Sequence, residues 1–263
     1  MTAFLASVMS AAEADIVCAA GAAGADIVDL KDPRHGALGA LPATTISTIV
    51  RHVAGRHPVS ATIGDLPMVP DVVVDAVRRT ATLGVDIVKI GIFPGPPPTP
   101  CIDALAPLAG QGVRLVAVLF ADAGPDMSLL DKLADNGFTG VMLDTVGKRS
   151  GGLRSCLDDE RLGKFVERSR HRGLLTGLAG SLTIDDIAPL LALQPDYLGF
   201  RGALTSGGRD GAVDPHRVAR IRAAIPADAQ GPTAISATAT AGAQRAAAAL
   251  VSSAPSTSVA KST

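Results

Sequence analysis

The sequence predicts an α/β protein, a (β/α)8 TIM barrel that forms a single domain and is followed by a C-terminal tail. Short, nearly continuous apolar runs alternate with segments of helical period, which is typical of parallel strands covered by helices. Eight such pairs occur within residues 1–226, which fits a barrel at the compact end of its size range. An open doubly wound sheet rarely contains eight regular repeats, so the closed barrel is favoured.

The first four strand and helix pairs follow from the apolar periodicity of the N-terminal half. Their strands are predicted at 4–9, 27–31, 59–64 and 87–92, and their helices at 10–20, 42–53, 71–83 and 102–109. The first helix is rich in alanine, and the second carries a proline near its start, which a helix N-terminus tolerates. A Gly-x-Asp tripeptide at 24–26 recurs at 84–86 and is typical of a turn from helix into strand.

The last four pairs continue the same alternation without a change of period. Their strands are predicted at 115–120, 141–145, 174–180 and 197–202, and their helices at 128–135, 158–172, 184–193 and 216–225. Parallel barrel strands all present their carboxyl ends at one mouth, where barrel active sites lie. Chemistry is therefore expected in the residues that end these strands.

Composition excludes some classes of function. The formal net charge is −1, with 47% hydrophobic and 19% charged residues, so no basic surface for nucleic acid and no field for a membrane is expected. The first apolar run is too short to span a bilayer and lacks the positively charged start of a signal peptide. We therefore expect a cytoplasmic protein whose partner is a small molecule, with no nucleic acid and no membrane.

The cysteines and histidines do not predict a metal site or a disulfide framework. Cys18, Cys101 and Cys156 are scattered, odd in number and without CxxC spacing, and the five histidines form no HExxH-like group. We expect free thiols and no protein-bound metal. Association into a homo-oligomer is compatible with apolar outer helices, but the sequence does not decide it.

The character of the chain changes after Pro226. Residues 227–263 consist largely of Ala, Ser, Thr and Gly, with Asp228, Arg245 and Lys261 as the charged residues. Such a composition buries too little apolar surface to order itself. We therefore predict a catalytic barrel over residues 1–226 and a disordered tail over residues 227–263.

Charged residues fall late in four alternate strands of the predicted barrel. Strand parity places Asp29, Lys31, Lys89, Asp144 and Arg201 on the inner face, and alternate strands contribute to the same interior layer. These residues are expected to converge on one mouth. The alternatives are a structural salt-bridge layer, which is a costly way to fill a core, and a Lys31 that simply ends its strand in water.

Two amines near a carboxylate suit covalent chemistry on carbonyl compounds. Burial and a second cation nearby favour the neutral form of an amine, which attacks a carbonyl and forms an iminium. Asp29, two residues from Lys31 on the same strand face, can orient that amine and move protons. The pattern indicates Schiff-base aldol chemistry, with Lys31, Lys89, Asp29 and Asp144 as catalytic candidates.

The loops after the last strands indicate phosphate binding. Gly180 ends strand seven and Ser181 follows it, and Arg201 and Gly202 end strand eight, where barrels commonly hold phosphate on backbone N–H groups and a cation. Glycine after a strand is also ordinary turn chemistry. Lys148, after strand six, is a candidate for a second anion contact or an ordinary solvated loop residue.

At these residues the sequence resembles the (5-formylfuran-3-yl)methyl phosphate synthase family of methanofuran biosynthesis. The resemblance is carried by motifs in strands two, three, four, six, seven and eight: GADIVDLKDP at 24–33 with GALGA at 36–40, VSATIGD at 59–65, DIVKIG at 86–91, MLDT at 142–145, LAGS at 178–181 and RGA at 201–203. The segment 94–100, which is rich in proline, and the tail depart from the family pattern.

The resemblance implies a TIM-barrel lyase that joins two glyceraldehyde 3-phosphate molecules into a phosphorylated furan aldehyde, without metal or organic cofactor. By motif, Lys31 matches the Schiff-base lysine, Asp29 its carboxylate neighbour and Lys89 a second catalytic lysine. Lys148 matches a further family lysine, although its flanking loop differs. Two other functions stay open from the residues alone: another Schiff-base aldolase acting on a sugar phosphate, and a non-catalytic barrel that binds a phosphorylated metabolite.

Overall fold

The computed structural model describes residues 1–19, 24–147 and 151–226, which form a closed barrel of parallel strands surrounded by helices. Each strand pairs with the next along the chain, and β8 pairs with β1 to close the barrel. The predicted fold class is therefore confirmed. The predicted disordered tail, 227–263, lies outside the described residues.

The strands and helices follow one another in regular alternation. The strands are β1 (Ala3–Val8), β2 (Ile27–Leu30), β3 (Val59–Thr62), β4 (Ile87–Ile92), β5 (Leu115–Phe120), β6 (Gly140–Asp144), β7 (Leu175–Leu178) and β8 (Tyr197–Phe200). The helices are α1 (Ala11–Cys18), α2 (Ala43–Val53), α3 (Pro70–Ala81), α4 (Thr99–Gly110), α5 (Leu129–Asp135), α6 (Leu153–Cys156), α7 (Asp159–His171), α8 (Ile187–Ala192) and α9 (Pro215–Ala224).

Local sequence explains most helix starts. The Ser10 side chain caps α1 by accepting a hydrogen bond from the backbone N–H of Glu13, and the Asp158 side chain caps α7 by accepting from Arg161. Prolines begin α3 and α9, where the missing N–H has no helical partner to lose. The short helix α6 lies between the predicted strand at 141–145 and the predicted helix at 158–172, where no element was predicted, because four residues are too few to show a period.

Two apolar clusters lie on the two sides of the barrel wall. The larger cluster fills the layer between strands and helices, whereas the smaller one lies inside the barrel and includes Leu5, Ile27, Met142 and Tyr197. The Tyr197 ring fills space that a side chain at Gly177 would occupy, since a Cβ there would lie 2.2 Å from the ring. The barrel is thus a packed core and not a pore.

The strand register brings the polar inward residues to one level near the carboxyl ends of the strands. Ser7 is in register with Asp29, and Asp29 with Ser60. Thr62 is in register with Lys89 on the neighbouring strand. Side chains in register on adjacent parallel strands share a face, so these groups lie next to each other above the apolar interior.

No helix in the described ranges is long and apolar enough to cross a membrane.

Candidate active site

A cavity of about 400 Å³ opens at the carboxyl ends of the strands. Its lining includes all five residues that strand parity predicted, namely Asp29, Lys31, Lys89, Asp144 and Arg201. The volume lies within the range of roughly 300–1,000 Å³ that is typical of small-molecule sites. The predicted convergence of charges from four alternate strands is therefore present in the fold.

Asp29 is the centre of a buried hydrogen-bond network in the barrel. Its carboxylate accepts from the hydroxyls of Ser7 and Ser60, each at 2.7 Å, and lies 2.7 Å from Nζ of Lys89. The Asp29 residue has no solvent exposure, and Lys89 has 2%. Sequence reasoning did not select the two serines. Their signal was a hydroxyl at an inward position of an otherwise apolar strand, one strand to either side of Asp29.

The surroundings shift the pKa values of this buried pair. Burial works against the charged carboxylate of Asp29, but the charges of Lys89 and Lys31 and hydrogen bonds from Lys89 and Ser60 outweigh it and lower its pKa. Burial is also the largest influence on Lys89, and together with the nearby charge of Lys31 it lowers the pKa of the Lys89 amine despite the attraction of Asp29. Lys89 therefore releases a proton more readily than an ordinary lysine does.

Lys31 reaches the cavity from the end of β2 and pairs with a second carboxylate. Its Nζ lies 3.3 Å from Oδ2 of Asp144, and the two side chains are 11% and 9% exposed. The other oxygen of Asp144 accepts the backbone N–H of Thr145 at 2.7 Å, which orients the carboxylate. Lys31 is thus the lysine nearer to solvent, whereas Lys89 lies deeper.

The segment after β6 is held by a carboxylate from the neighbouring loop. The Asp122 side chain follows β5 and accepts the backbone N–H of Val146 at 2.9 Å and of Gly147 at 2.6 Å. Gly147 and Thr145 line the cavity. Asp122 was not among the residues predicted from the sequence, although its position after a strand end was an available signal. Lys148, the candidate for a second anion contact, lies outside the described residues.

The loop after β7 contributes Gly180 and Ser181 to the lining of the cavity. Gly180 has φ +104°, and Ser181 has φ +50°, a left-handed conformation that is uncommon for a residue with a side chain. The N–H groups of both residues donate to no acceptor in the described chain. The carbonyl of Gly180 accepts the N–H of Leu153, so α6 fixes this loop. The arrangement suits an anion, and phosphate binding by Gly180 and Ser181 stays a prediction.

The loop after β8 differs from expectation at Arg201. Its guanidinium donates five hydrogen bonds within the protein: to Glu13 Oε2 and Oε1 at 2.6 and 3.1 Å, and to the carbonyls of Arg209, Ser7 and Gly211 at 2.9, 3.1 and 2.8 Å. A guanidinium has five N–H donors, so all are in use. These contacts give Arg201 a structural role, and phosphate binding by Arg201 itself stays a prediction.

The cysteines and the potential metal ligands can now be compared with the expectations from the sequence. Cys18 and Cys101 are buried free thiols, and Cys156 is partly buried. Within the described ranges, no three His, Cys, Asp or Glu side chains are grouped so that they could hold a metal ion. The polar groups of the cavity are amines, carboxylates, hydroxyls and backbone N–H groups, which serve proton transfer, imine formation and anion binding.

Comparison with known sequences identifies close relatives. The profile of the 4-HFC-P synthase family matches residues 4–222. The (5-formylfuran-3-yl)methyl phosphate synthase of Methanopyrus kandleri is 32% identical over 193 residues, which cover 68% of this chain and 81% of the relative. A Methylorubrum extorquens protein provisionally given the same name is 40% identical over 190 residues, which cover 70% of this chain and 78% of the relative.

Comparison with solved structures supports the fold alone, because the sequence identities are low. Phosphoribosyl anthranilate isomerase from Thermus thermophilus superimposes with a TM-score of 0.60 at 13% identity, covering 86% of this chain and 98% of the other. A 3-hexulose-6-phosphate synthase superimposes with a TM-score of 0.58 at 16% identity, covering 85% of this chain and all of the other.

Proposed function

This chain belongs to the 4-HFC-P synthase family, and on that premise we propose that it condenses two glyceraldehyde 3-phosphate molecules through a lysine Schiff base. The product is (5-formylfuran-3-yl)methyl phosphate, the compound in the names of its relatives. The balance is two triose phosphates giving one furan phosphate, one phosphate and two waters. As implied by the family resemblance, the product serves methanofuran biosynthesis.

The observation that carries this proposal is the pairing of two amines with two carboxylates in one cavity. Lys31 lies against Asp144 at the mouth, and Lys89 lies against Asp29 below it. A satisfied salt-bridge layer would need no opening to solvent, yet all four side chains line the cavity. Lysines of this kind serve imine chemistry when they can reach a carbonyl and lose a proton.

Lys31 is the lysine that forms the Schiff base. Its Nζ faces the cavity, and Asp144 Oδ2 at 3.3 Å is positioned to take the proton that the ammonium must lose. The neutral amine adds to the carbonyl carbon of the first triose phosphate, and the carbinolamine loses its hydroxyl as water. The resulting iminium withdraws electrons from the adjacent carbon, which loses a proton and becomes an enamine.

The enamine carbon then forms the new carbon–carbon bond with the aldehyde of the second triose phosphate. The aldehyde oxygen takes up a proton, and Lys89 is suited to supply it because its pKa is lowered. Asp29, held by Ser7 and Ser60, keeps the Lys89 amine in place. Hydrolysis of the imine takes up the water that its formation released and frees Lys31. Loss of one phosphate and ring closure, with the net loss of two waters, then complete the furan.

The phosphate groups bind at the loops after the last two strands. Gly180 and Ser181, whose N–H groups have no acceptor in the described chain, line the cavity, and Gly202 begins a short 3-10 helix whose first N–H groups likewise have none. Backbone N–H groups at such turns are common phosphate ligands. Two phosphorylated substrates require a second anion contact, which we assign to Lys148 from the family resemblance.

Borohydride trapping tests the proposal directly. The protein is incubated with glyceraldehyde 3-phosphate and sodium borohydride, the peptides are analysed by mass, and furan absorbance is followed in a parallel sample without borohydride. We expect a reduced adduct on the Lys31 peptide and a furan chromophore. Lys31→Arg keeps the charge but cannot form an imine, so it should lose both signals. Lys132→Arg, a change at a surface lysine that pairs with Asp103, is the matched control and should keep both.

The outcomes separate the candidate functions. An adduct on Lys31 without furan would indicate an aldolase with a different second substrate. Absence of both adduct and furan from the wild-type protein would contradict the Schiff-base mechanism, and the charged cavity would then have to serve binding alone.

A further inference from the structure

The cationic side chains that line the cavity differ in how far their hydrogen-bond donors are already used within the protein. In the described part of the chain they are Lys31, Lys89, Arg201 and Arg209. Lys89 is committed to Asp29, and Arg201 uses all five of its donors within the protein. Lys31 is the lysine proposed to react. Arg209 is therefore the remaining cation that can pair with a substrate phosphate.

Arg209 has donors to spare. Its Nη2 donates to the carbonyl of Gly36 at 3.1 Å, and its side chain has no other hydrogen bond and no carboxylate partner among the described residues. Four of its five N–H donors thus have no acceptor among the described residues. The residue is half-buried at the rim of the cavity, where a guanidinium is less screened than on an open surface.

The position of Arg209 matches the predicted phosphate loop. A Cβ at Gly202 would lie 3.9 Å from the backbone nitrogen of Arg209, so the two residues are packed side by side. Gly202 and the next residue present N–H groups without an acceptor in the described chain. A phosphate bound to those N–H groups would lie within reach of the Arg209 side chain.

The buried Arg201 holds the segment that carries Arg209. It binds the carbonyl of Arg209 from one side and that of Gly211 from the other, while Glu13 of α1 neutralises its charge. A bridge between Thr205 and Val213 closes the base of the same loop. The loop is therefore anchored to the barrel, and its arginine is held near one place in advance of binding.

We propose that Arg209 is the residue that recognises the phosphate group of the substrate, and that Arg201 with Glu13 is the support that positions it. This inference rests on the proposed function for the identity of the substrate but not for the existence of the phosphate site. It transfers to Arg209 the role that sequence reasoning gave to Arg201. Bidentate pairing of a guanidinium with a phosphate provides the specificity for phosphorylated over free aldehydes.

Calorimetric titration with inorganic phosphate tests the inference on the full-length protein. We expect Arg209→Ala to weaken phosphate binding about 10- to 100-fold, the range for loss of a charged hydrogen-bond partner. Arg209→Lys keeps the charge but not the bidentate geometry of the guanidinium, so its phosphate affinity should lie between those of the wild type and Arg209→Ala. Arg217→Ala removes an exposed arginine on α9 whose nearest carboxylate, Asp214, is 4.0 Å away, and should leave phosphate affinity unchanged.

Kinetics provide a readout that a merely structural role would not change. In Arg209→Ala the KM for glyceraldehyde 3-phosphate should rise about 10- to 100-fold, while borohydride trapping of phosphate-free glyceraldehyde on Lys31 stays at the wild-type level. Thermal unfolding should also stay at the wild-type value, because the side chain makes one hydrogen bond in the described chain.

The results distinguish this inference from the proposed function. Phosphate affinity that is absent in the wild type, or equal in wild type and Arg209→Ala, overturns the inference even when furan is produced. Phosphate affinity that depends on Arg209 supports it, and does so even if the wild type forms neither adduct nor furan and the proposed function fails.

Discussion

Lys89 Nζ lies 2.7 Å from Oδ1 of Asp29, and both side chains are enclosed in the barrel. Two hydroxyls, from Ser7 and Ser60, complete the environment of the carboxylate. An isolated charge at this depth would cost several kcal/mol in desolvation, so each member depends on the other. The pair is thus both a structural unit and the deeper part of the proposed proton-transfer system.

A double-mutant cycle on this pair should show strong coupling. Asp29→Asn leaves the Lys89 ammonium without a counter-charge, and Lys89→Met leaves the carboxylate with serine donors only, so each single change should cost about 3–5 kcal/mol of unfolding free energy. The double variant should lose clearly less than the sum. Urea unfolding measures all four proteins, and additive losses within about 0.5 kcal/mol would contradict the coupling.

The decrease of the unfolding free energy at acid pH should depend on Asp29. Its pKa in the folded protein lies below the ordinary value of about 3.9, so its contribution to the unfolding free energy is complete above that value and declines as the pH falls toward the lower folded pKa. Urea unfolding between pH 7 and pH 2.5 measures this decline. In Asp29→Asn the slope below pH 4 should be shallower, by up to about 1.4 kcal/mol per pH unit. Equal slopes of unfolding free energy against pH below pH 4 in the two proteins would argue against a lowered pKa of Asp29.

The Arg201 and Glu13 pair should behave as a structural support. Arg201→Met leaves the buried Glu13 carboxylate with the Met9 N–H as its remaining partner within the described residues, and should cost about 3–5 kcal/mol of stability. Arg201→Met combined with Glu13→Gln removes both charges and should recover part of that loss. Thermal denaturation provides the measurement. No recovery in the double variant would mean that the contacts of Arg201 with backbone carbonyls dominate.

Gly180 should be required for the shape of the phosphate loop. Gly180→Ala places a Cβ 2.9 Å from Cγ2 of Thr145 at a left-handed φ of +104°, so the loop must shift. We expect the KM for glyceraldehyde 3-phosphate to rise about tenfold or more in steady-state assays. Gly173→Ala has a comparable φ of +72° with no atom within 4 Å, and should change stability by about 1 kcal/mol without affecting KM. Equal effects of the two variants on KM would exclude the steric argument.

The Asp122 carboxylate should hold the segment after β6 in its working position. Asp122→Asn replaces one acceptor oxygen by an amide donor, so the N–H of either Val146 or Gly147 loses its acceptor. Furan formation should slow about 3- to 30-fold, and amide hydrogen exchange should become faster at these two positions. Asp126→Asn, which alters a similar contact to the N–H of Ser128 in the same loop, should do neither. Furan formation at the full wild-type rate in Asp122→Asn would show that the Asp122 carboxylate is not needed to position the segment after β6.

The fold could be predicted largely from local pattern. Strands β4 and β5 have the predicted bounds, because β5 is a continuous apolar run and β4 is apolar except at Lys89 and Gly91. The helix α6 was missed because one turn has no measurable period. Helix α8 is shorter than predicted, since its first turn, 184–186, is a 3-10 helix closed by a capping box at Thr183.

The site could be predicted in part. Lys31 and Asp144 were placed at one mouth by strand parity, and the structure brings them to 3.3 Å across 113 residues of sequence. The role of Arg201 could not be foreseen, because its partner Glu13 lies 188 residues away on a helix that shows no unusual pattern. Arg209 was overlooked since a loop arginine carries no periodic signal.

The sequence by itself determined which face of each strand carries charge, because the alternation of side chains along an extended backbone is a local property. It also determined that these faces meet, because parallel strands in regular repeats close with their carboxyl ends together. Only the tertiary structure decided which charges neutralise one another and which stay available for substrate. That assignment depends on hydrogen-bond distances between loops and helices far apart in the chain, as the five donors of Arg201 and the spare donors of Arg209 show.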